Sequence, residues 1–138
     1  MGQRSVLFLC TGNSCRSQIA EAIVNADPNN GWHAFSAGTK PAGHVHPFTV
    51  QVLGEIGIFH QGYSKELANF RERNFDLIVT VCDSAAEECP VWLYPGQQIH
   101  VPFPDPARFQ GDTEIVLEKF RQIRDEIRLK IPQLLNEI

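Results

Sequence analysis

The chain has 138 residues, of which 43% are hydrophobic, and its formal net charge at neutral pH is -4. This length predicts a single domain, residues 1–138, with one sizeable core. The sequence contains neither a basic stripe that would favour nucleic acid nor an apolar run long enough to span a membrane, so we expect neither kind of partner.

The first strong pattern along the chain is a short apolar run, Val6 to Leu9, followed at once by turn-forming residues. The run has the length of a buried strand, and Cys10 stands where that strand would end. Arg16 then opens a segment with apolar residues at helical spacing, which reaches a dense turn signal near Asp27. A strand, a tight loop and a helix in this order turn backbone N–H groups and the positive helix end toward a bound anion.

Cys10 is the predicted nucleophile of this loop. The loop amides, the helix N-terminus and the charge of Arg16 all favour its thiolate, and the guanidinium of Arg16 offers a planar fork of donors that suits a tetrahedral oxyanion. Ser17 can donate a hydroxyl hydrogen bond to the thiolate, whereas Cys15 is expected to be a packed thiol. The alternative is a small core residue beside a solvated arginine, but the strand–loop–helix context favours catalysis.

The rest of the chain also alternates between strand and helix patterns. They predict strands at 32–37, 75–81 and 99–102, a helix from Pro47 to about Ile56, a short helix capped by Ser64, and a long helix from Thr113 that bends near Pro132. This alternation predicts an α/β fold with an open, parallel, four-stranded sheet in three layers, with helices on both faces. Ligands bind beyond the carboxyl ends of such strands, and the following candidate residues are expected there: Cys10, Ser36, Cys82 and Asp105.

Cys82 and Cys89 form a second pair of cysteines, in the string CDSAAEECP. In an intact helix they would be about 10 Å apart along the axis, beyond the roughly 7 Å between Cα atoms that a disulfide allows. A Cys82–Cys89 disulfide would therefore require the segment to unwind. Two packed thiols are one alternative, and a four-cysteine zinc site is another. The wide spacing and the charge of Arg16 disfavour zinc, so we expect no metal and no cofactor.

Asp105 lies between two prolines after the last predicted strand, and these prolines restrict its backbone. Facing a bound oxyanion, it would be kept protonated more easily and could donate its proton to a leaving hydroxide. The alternative is an ordinary aspartate in a proline-rich turn. His44 and His46 are interpreted as surface polar groups, because Cys10 needs no histidine base if the loop itself favours the thiolate.

The string from Cys10 to Arg16 followed by Ser17 resembles the phosphate loop of low-molecular-weight protein tyrosine phosphatases. The longer string CTGNSCRSQIAEA resembles the thioredoxin-coupled arsenate reductases built on that fold. This resemblance implies a phosphatase-like fold over the whole chain and an Asp105-Pro106 general acid. It also implies substrate binding, with phosphate or sulfate as competitors, by the loop residues Thr11, Gly12, Asn13, Ser14, Cys15 and Arg16.

The resemblance further implies a relay of three thiols for arsenic detoxification. Cys10 forms an adduct with arsenate, Cys82 attacks Cys10 and expels arsenite, and Cys89 takes over the oxidation as a Cys82–Cys89 disulfide, which thioredoxin reduces. A glutathione or glutaredoxin system is the alternative reductant. We expect a cytoplasmic protein, because four cysteines without a signal peptide fit a compartment where thiols stay reduced. We also expect the protein to be a monomer.

A phosphatase that uses only Cys10, Arg16 and Asp105 is the competing function. Tyrosine-specific relatives usually carry aromatic residues after the Asp-Pro pair, whereas Ala107 and Arg108 follow here, which fits a small inorganic ion better. Cys82 and Cys89 would have no role in a phosphatase.

The sequence also departs from the family at Lys65. Some relatives bind potassium near the loop through residues that correspond to Asn13, Glu21 and Ser36, with further oxygen ligands around positions 63 and 65. Here those two positions hold Tyr63 and Lys65, and an ammonium group would repel a metal ion. We therefore predict that Lys65 is an internal cation beside Asn13, Glu21 and Ser36. The alternative is an exposed lysine near a helix start.

Overall fold

The computed structural model describes residues 3–70, 73–83, 92 and 96–138. Within them the chain forms, in order, β1 (Arg4–Cys10), α1 (Arg16–Ala26), β2 (Trp32–Gly38), α2 (Pro47–Glu55), β3 (Leu77–Thr80), β4 (Gln97–His100) and α3 (Thr113–Glu137). Two single turns of 3₁₀ helix, Leu67–Phe70 and Pro106–Arg108, lie after α2 and after β4. None of the described helices is long and apolar enough to cross a membrane.

The four strands form one parallel sheet in the order β2-β1-β3-β4, which confirms the predicted fold. The apolar run in β1 is fully buried because β1 lies inside the sheet. Val6 and Phe8 point toward α1 and α3, while Leu7 and Leu9 pack on the opposite face with aromatic residues that include Phe70 and Phe75. A continuous apolar run, rather than an alternating one, is what a strand buried on both faces requires.

The sheet places the candidate residues at the point where its strand order reverses. The chain moves from β1 to β2 on one side and then crosses to β3 on the other side, so the reversal lies between β1 and β3. Cys10 is the last residue of β1, and Cys82 follows the end of β3 by two residues. Both belong to one core cluster. This is the edge at which open parallel sheets bind ligands.

Three local predictions differ from the structure. Ser36 lies within β2 and not after it, and β4 begins at Gln97, two residues earlier than predicted. Ser64 caps no helix, because its hydroxyl donates to the carbonyl of Gly12 at 3.0 Å, and the 3₁₀ turn begins three residues later, at Leu67.

The long C-terminal helix continues through Pro132 as one element. Proline removes one N–H from the helical ladder. Here both Pro132 and the residue four positions earlier, Arg128, are exposed, so water can bond the carbonyl that loses its partner.

Gly38, the last residue of β2, lets the sheet approach the loop that follows β1. A Cβ atom at this position would lie 2.4 Å from the carbonyl oxygen of Thr11 and 3.0 Å from the amide nitrogen of Asn13. The first distance is far inside van der Waals contact, and the neighbour is backbone that cannot rotate away. Position 38 therefore requires glycine for reasons of space.

We expect Gly38→Ala to lower the melting temperature and to weaken the binding of inorganic phosphate, since the added methyl group pushes the loop away from β2. Gly54→Ala is the matched control. A Cβ at Gly54, inside α2, meets nothing within 4 Å, so this variant should be stabilised by up to about 1 kcal/mol. Thermal melting and phosphate titration check both variants. A Gly38→Ala protein that melts and binds like the unmodified chain would contradict the close approach.

Candidate active site

The loop from Cys10 to Arg16 has its carbonyl groups turned outward. Those carbonyls accept hydrogen bonds from the segment after β2, at 2.9–3.1 Å, in the pairs Thr11–Lys40, Gly12–Ala42 and Ser14–His46. No peptide bond among the described residues is cis. In a trans peptide the N–H points opposite to the preceding C=O, so the amides of residues 12, 13 and 15 face the loop interior. The loop thus presents donors to its centre.

Asn13 holds this loop in shape. Its φ of 47° lies in the left-handed region, which asparagine tolerates better than most residues. Its side chain is fully buried and bonded at both ends. Nδ2 donates to the Ser17 hydroxyl at 2.8 Å, while Oδ1 accepts from the Lys65 amide at 2.7 Å and from Gln18 Nε2 at 3.0 Å. Hydrogen bonds with three other residues therefore hold Asn13 in its left-handed conformation.

The sulfur of Cys10 lies at the centre of the loop as a free thiol, 2% exposed. The amide of Asn13 donates to it at 3.3 Å, and Ser17 Oγ lies 2.8 Å away. Because Ser17 already accepts from Asn13 Nδ2, its single hydroxyl proton is available for the sulfur. Two hydrogen-bond donors are therefore directed at this one sulfur.

Arg16 is buried at the first turn of α1, with 3% of its surface exposed. Its Nη1 donates to the carbonyl of Phe103 at 3.1 Å, and its Nη2 lies 3.9 Å from Asp105 Oδ2. No side-chain hydrogen bond caps α1, and the positive end of a helix favours a nearby anion. A buried arginine at a helix N-terminus concentrates positive charge beside Cys10.

Asp105 is oriented by its own turn. Its Oδ1 accepts from the amide of Ala107 at 3.0 Å, which caps the Pro106–Arg108 turn. Its Oδ2 lies 3.9 Å from both Arg16 Nη2 and Arg108 Nε. One oxygen is thus held by the backbone, and the other is placed beside the guanidinium groups.

A cavity of about 280 Å³ opens over the loop and brings these groups together. It is lined by Cys10, Gly12, Ser14, Cys15, Arg16, Ala42, His44, His46, Asp105 and Ala107. The sequence favours His44 and His46 as surface polar groups; His44 is exposed and His46 is half-buried, and both line this cavity. Their position after β2, at the carboxyl edge of the sheet, was the signal that could have identified them.

His46 has a defined tautomer. Its Nδ1 accepts from the amide of Phe48 at 3.0 Å and so caps α2, which leaves the ring proton on Nε2. The ring packs 4.7 Å from that of Phe120. Burial lowers the pKa of His46, and nearby His44 lowers it further, although Asp105 acts in the opposite direction. A neutral imidazole therefore lines the cavity as a hydrogen-bond donor.

The second thiol of the loop, Cys15, differs from Cys10. It packs with Val52, Leu117 and Phe120. Burial, with a smaller contribution from Asp105, raises its pKa to about 12. This is the environment expected of an inert packed thiol.

Cys82 is fully buried and disulfide-bonded, whereas Cys10 and Cys15 are free. Cys89 lies outside the described residues, and so does the segment whose unwinding the sequence predicts. Among the described residues, no three His, Cys, Asp or Glu side chains cluster in a way that would hold a metal ion. Lys65, Glu21, Ser36 and Asn13 do come together, and none of the four lines that cavity.

A model of the low molecular weight phosphotyrosine protein phosphatase family matches residues 5–138. The chain belongs to this family. It is 38% identical over 132 residues to the arsenate reductase of Halalkalibacterium halodurans, which covers 95% of this chain and 94% of that protein.

Several solved structures resemble this one, arsenate reductases among them. The arsenate reductase of Archaeoglobus fulgidus is 29% identical, with a TM-score of 0.72 over 94% of this chain and 98% of its own. A thioredoxin-dependent arsenate reductase of Corynebacterium glutamicum is 28% identical, with a TM-score of 0.66 over 96% of this chain and 63% of its own. The family match confirms the resemblance inferred from the loop string.

The different environments of Cys10 and Cys15 predict selective alkylation. With iodoacetamide at pH 8, Cys10 should react, while Cys15 should not, because a pKa of about 12 leaves only about one part in 10⁴ as thiolate. Peptide mass spectrometry of the reduced protein reports each site separately. Inorganic phosphate should protect Cys10 if the cavity is the anion site. Equal labelling of Cys15 would contradict its assignment as inert.

Proposed function

We propose that the chain reduces arsenate to arsenite through Cys10, Cys82 and Cys89. The observation that carries this proposal is the state of the thiols: Cys82 is disulfide-bonded in the core cluster that also contains a free Cys10. A phosphatase has no use for such a redox pair. The 38% identity to a bacterial arsenate reductase supports the same conclusion.

In the first step arsenate occupies the cavity, with its oxygens on the inward amides and on Arg16. The thiolate of Cys10 attacks arsenic and forms an S–As bond. Asp105, in its protonated form, donates to the oxygen that leaves as water. The inward amides need no rearrangement as charge develops, which is the advantage of a preorganised site.

In the second step the thiolate of Cys82 attacks the sulfur of Cys10. An S–S bond forms, the S–As bond breaks, and its electron pair remains on arsenic, which leaves as arsenite. Cys89 then attacks Cys82, which forms a Cys82–Cys89 disulfide and releases Cys10 as a thiolate. Arsenic gains two electrons, and the thiol pair loses two. We propose Cys89 as the disulfide partner of Cys82 because it is the one cysteine left in the sequence.

We propose thioredoxin as the reductant of this disulfide, in the cytoplasm, with the chain acting as a monomer. Because Cys82 is fully buried, an external dithiol must attack the other sulfur of the pair. The name of the Corynebacterium glutamicum relative, a thioredoxin-dependent arsenate reductase, supports this choice. A glutathione system remains the alternative that the relay variants below distinguish.

Hydrolysis of phosphate esters is the second candidate function, and the family match favours it. The loop, Arg16 and Asp105 would serve both reactions. The residue after the Asp-Pro pair, Ala107, lines the cavity and offers no aromatic surface to grip a phenyl ring.

The deciding experiment incubates reduced protein with arsenate and measures both arsenite and the disulfide formed. Formation of arsenite and of a Cys82–Cys89 disulfide in equal amounts supports the reductase. Turnover of p-nitrophenyl phosphate without arsenite formation identifies a phosphatase instead.

Single cysteine substitutions should trap different stages of the relay. Cys89→Ser should release about one equivalent of arsenite and accumulate Cys10–Cys82, because the third thiol is missing. Cys82→Ser should stop release unless external thiols are added. Quenched-flow arsenite assays with disulfide mapping check both outcomes. If Cys89→Ser turns over normally with thioredoxin, the relay is wrong and a glutathione route becomes the better explanation.

Asp105→Asn should slow the formation of the Cys10 adduct and leave phosphate binding largely intact. Loss of a general acid slows the step it catalyses by roughly 10²–10⁴-fold. A single-turnover assay measures the rate of the covalent step, and phosphate titration serves as the binding control. An unchanged single-turnover rate would remove Asp105 from the mechanism.

A further inference from the structure

The amino group of Lys65 is buried where a lysine is rarely found. Its side chain is 8% exposed and lies beside Glu21, whose side chain is 13% exposed, with Nζ and Oε1 3.8 Å apart. Nζ also donates to the carbonyl of Tyr63 at 2.8 Å and lies 4.7 Å from the centre of the Tyr63 ring. A carboxylate, a carbonyl and an aromatic face form the surroundings that suit a monovalent cation.

This ion pair is a poor source of stability. Burial raises the pKa of Glu21 and lowers that of Lys65, in each case more than the partner compensates. A buried pair with incomplete compensation is often less stable than an apolar packing of the same volume. Its presence here therefore points to a role other than stability.

The backbone of Lys65 connects the pair to the loop that holds Cys10. Its amide donates to Asn13 Oδ1 at 2.7 Å, and its carbonyl accepts from the amide of Gly38 at 2.9 Å. The Tyr63 carbonyl that binds Nζ also accepts from Gln18 Nε2 at 2.8 Å. Segment 63–65 is thus attached to α1 by the Lys65 side chain and the Tyr63 carbonyl, and to Asn13 by the Lys65 amide.

We propose that the ammonium group of Lys65 is the built-in cation of the Cys10–Arg16 loop, a positioning residue that clamps segment 63–65 to α1. By fixing the Lys65 amide it holds Asn13 in its left-handed conformation, and Asn13 in turn orients Ser17 and the loop amides around Cys10. This inference rests on the proposed oxyanion-binding role of the loop but does not depend on arsenate as the substrate.

The first test compares Lys65→Met with Lys119→Met, which removes the same charge from α3, away from the loop. Lys65→Met should lower the melting temperature, weaken inorganic phosphate binding by about tenfold and slow Cys10 alkylation at pH 7 by a similar factor. An effect of this size is usual when a residue that orients the groups binding a ligand is removed. Lys119→Met should behave like the unmodified protein. Equal phosphate affinity in the two variants overturns the proposal.

The double variant Glu21→Gln/Lys65→Met separates positioning from charge compensation, and it also serves if the single variant folds poorly. It removes the uncompensated carboxylate, so its melting temperature should recover relative to Lys65→Met. Phosphate affinity and Cys10 reactivity should stay low, because nothing clamps segment 63–65. If they recover together with stability, Lys65 only neutralises Glu21 and the proposal fails.

Monovalent cations give an independent test. In the unmodified protein, melting temperature and Cys10 reactivity should not change between sodium and potassium at equal ionic strength, since the site is already filled. Lys65→Ala leaves room for a cation beside Glu21. Its melting temperature and its Cys10 reactivity should therefore be higher in ammonium or potassium salts than in choline salts. A potassium-specific gain in the unmodified protein, or no rescue of Lys65→Ala, overturns the proposal. Neither readout uses arsenate, so a failed arsenite assay would not be mistaken for either outcome.

Discussion

The direction of the peptide groups in the Cys10–Arg16 loop is the constraint on which the rest of the site depends. Carbonyls turned inward would repel both a thiolate and an oxyanion. They are held outward because the segment after β2, the Ser64 hydroxyl and the Thr49 hydroxyl give them hydrogen-bond partners. The electrostatics of the site therefore follow from backbone groups that must be satisfied when buried, and the absence of a side chain at Gly38 makes that satisfaction sterically feasible.

The charged groups around this loop are expensive to bury, and each has partners. Arg16 bonds the Phe103 carbonyl and faces Asp105, and Lys65 faces Glu21. Pairs of this kind contribute little net stability once desolvation is counted. Their value lies in fixed charge and fixed donors that need not reorganise during a reaction. The loop is built from groups that an arrangement optimised for stability alone would avoid.

The sequence predicted elements whose signal is local. The buried run of β1, the start of α1 at Arg16 and the proline at the first turn of α2 were identified from their own residues. β4 is a mostly exposed strand of four residues, too short for a clear period, and its position was misjudged. The local sequence predicts Ser64 as a helix cap. In the folded chain its hydroxyl instead donates to the carbonyl of Gly12, 52 positions away. His44 and His46 carry no periodic signal, and their position after β2, at the carboxyl edge of the sheet, was the one indication that they line the cavity.

The thiol arrangement is consistent with repeated turnover in the proposed relay. If the oxidation ended as a Cys10–Cys82 disulfide, the nucleophile would be blocked until a reductant reached a sulfur that is 2% exposed. A disulfide that joins Cys82 to a thiol elsewhere leaves Cys10 free, as it is in this structure. Cys15, raised to a pKa of about 12 by burial, cannot take part in the exchange at neutral pH. Separate environments for thiols of one chemical type would therefore give the proposed relay a direction.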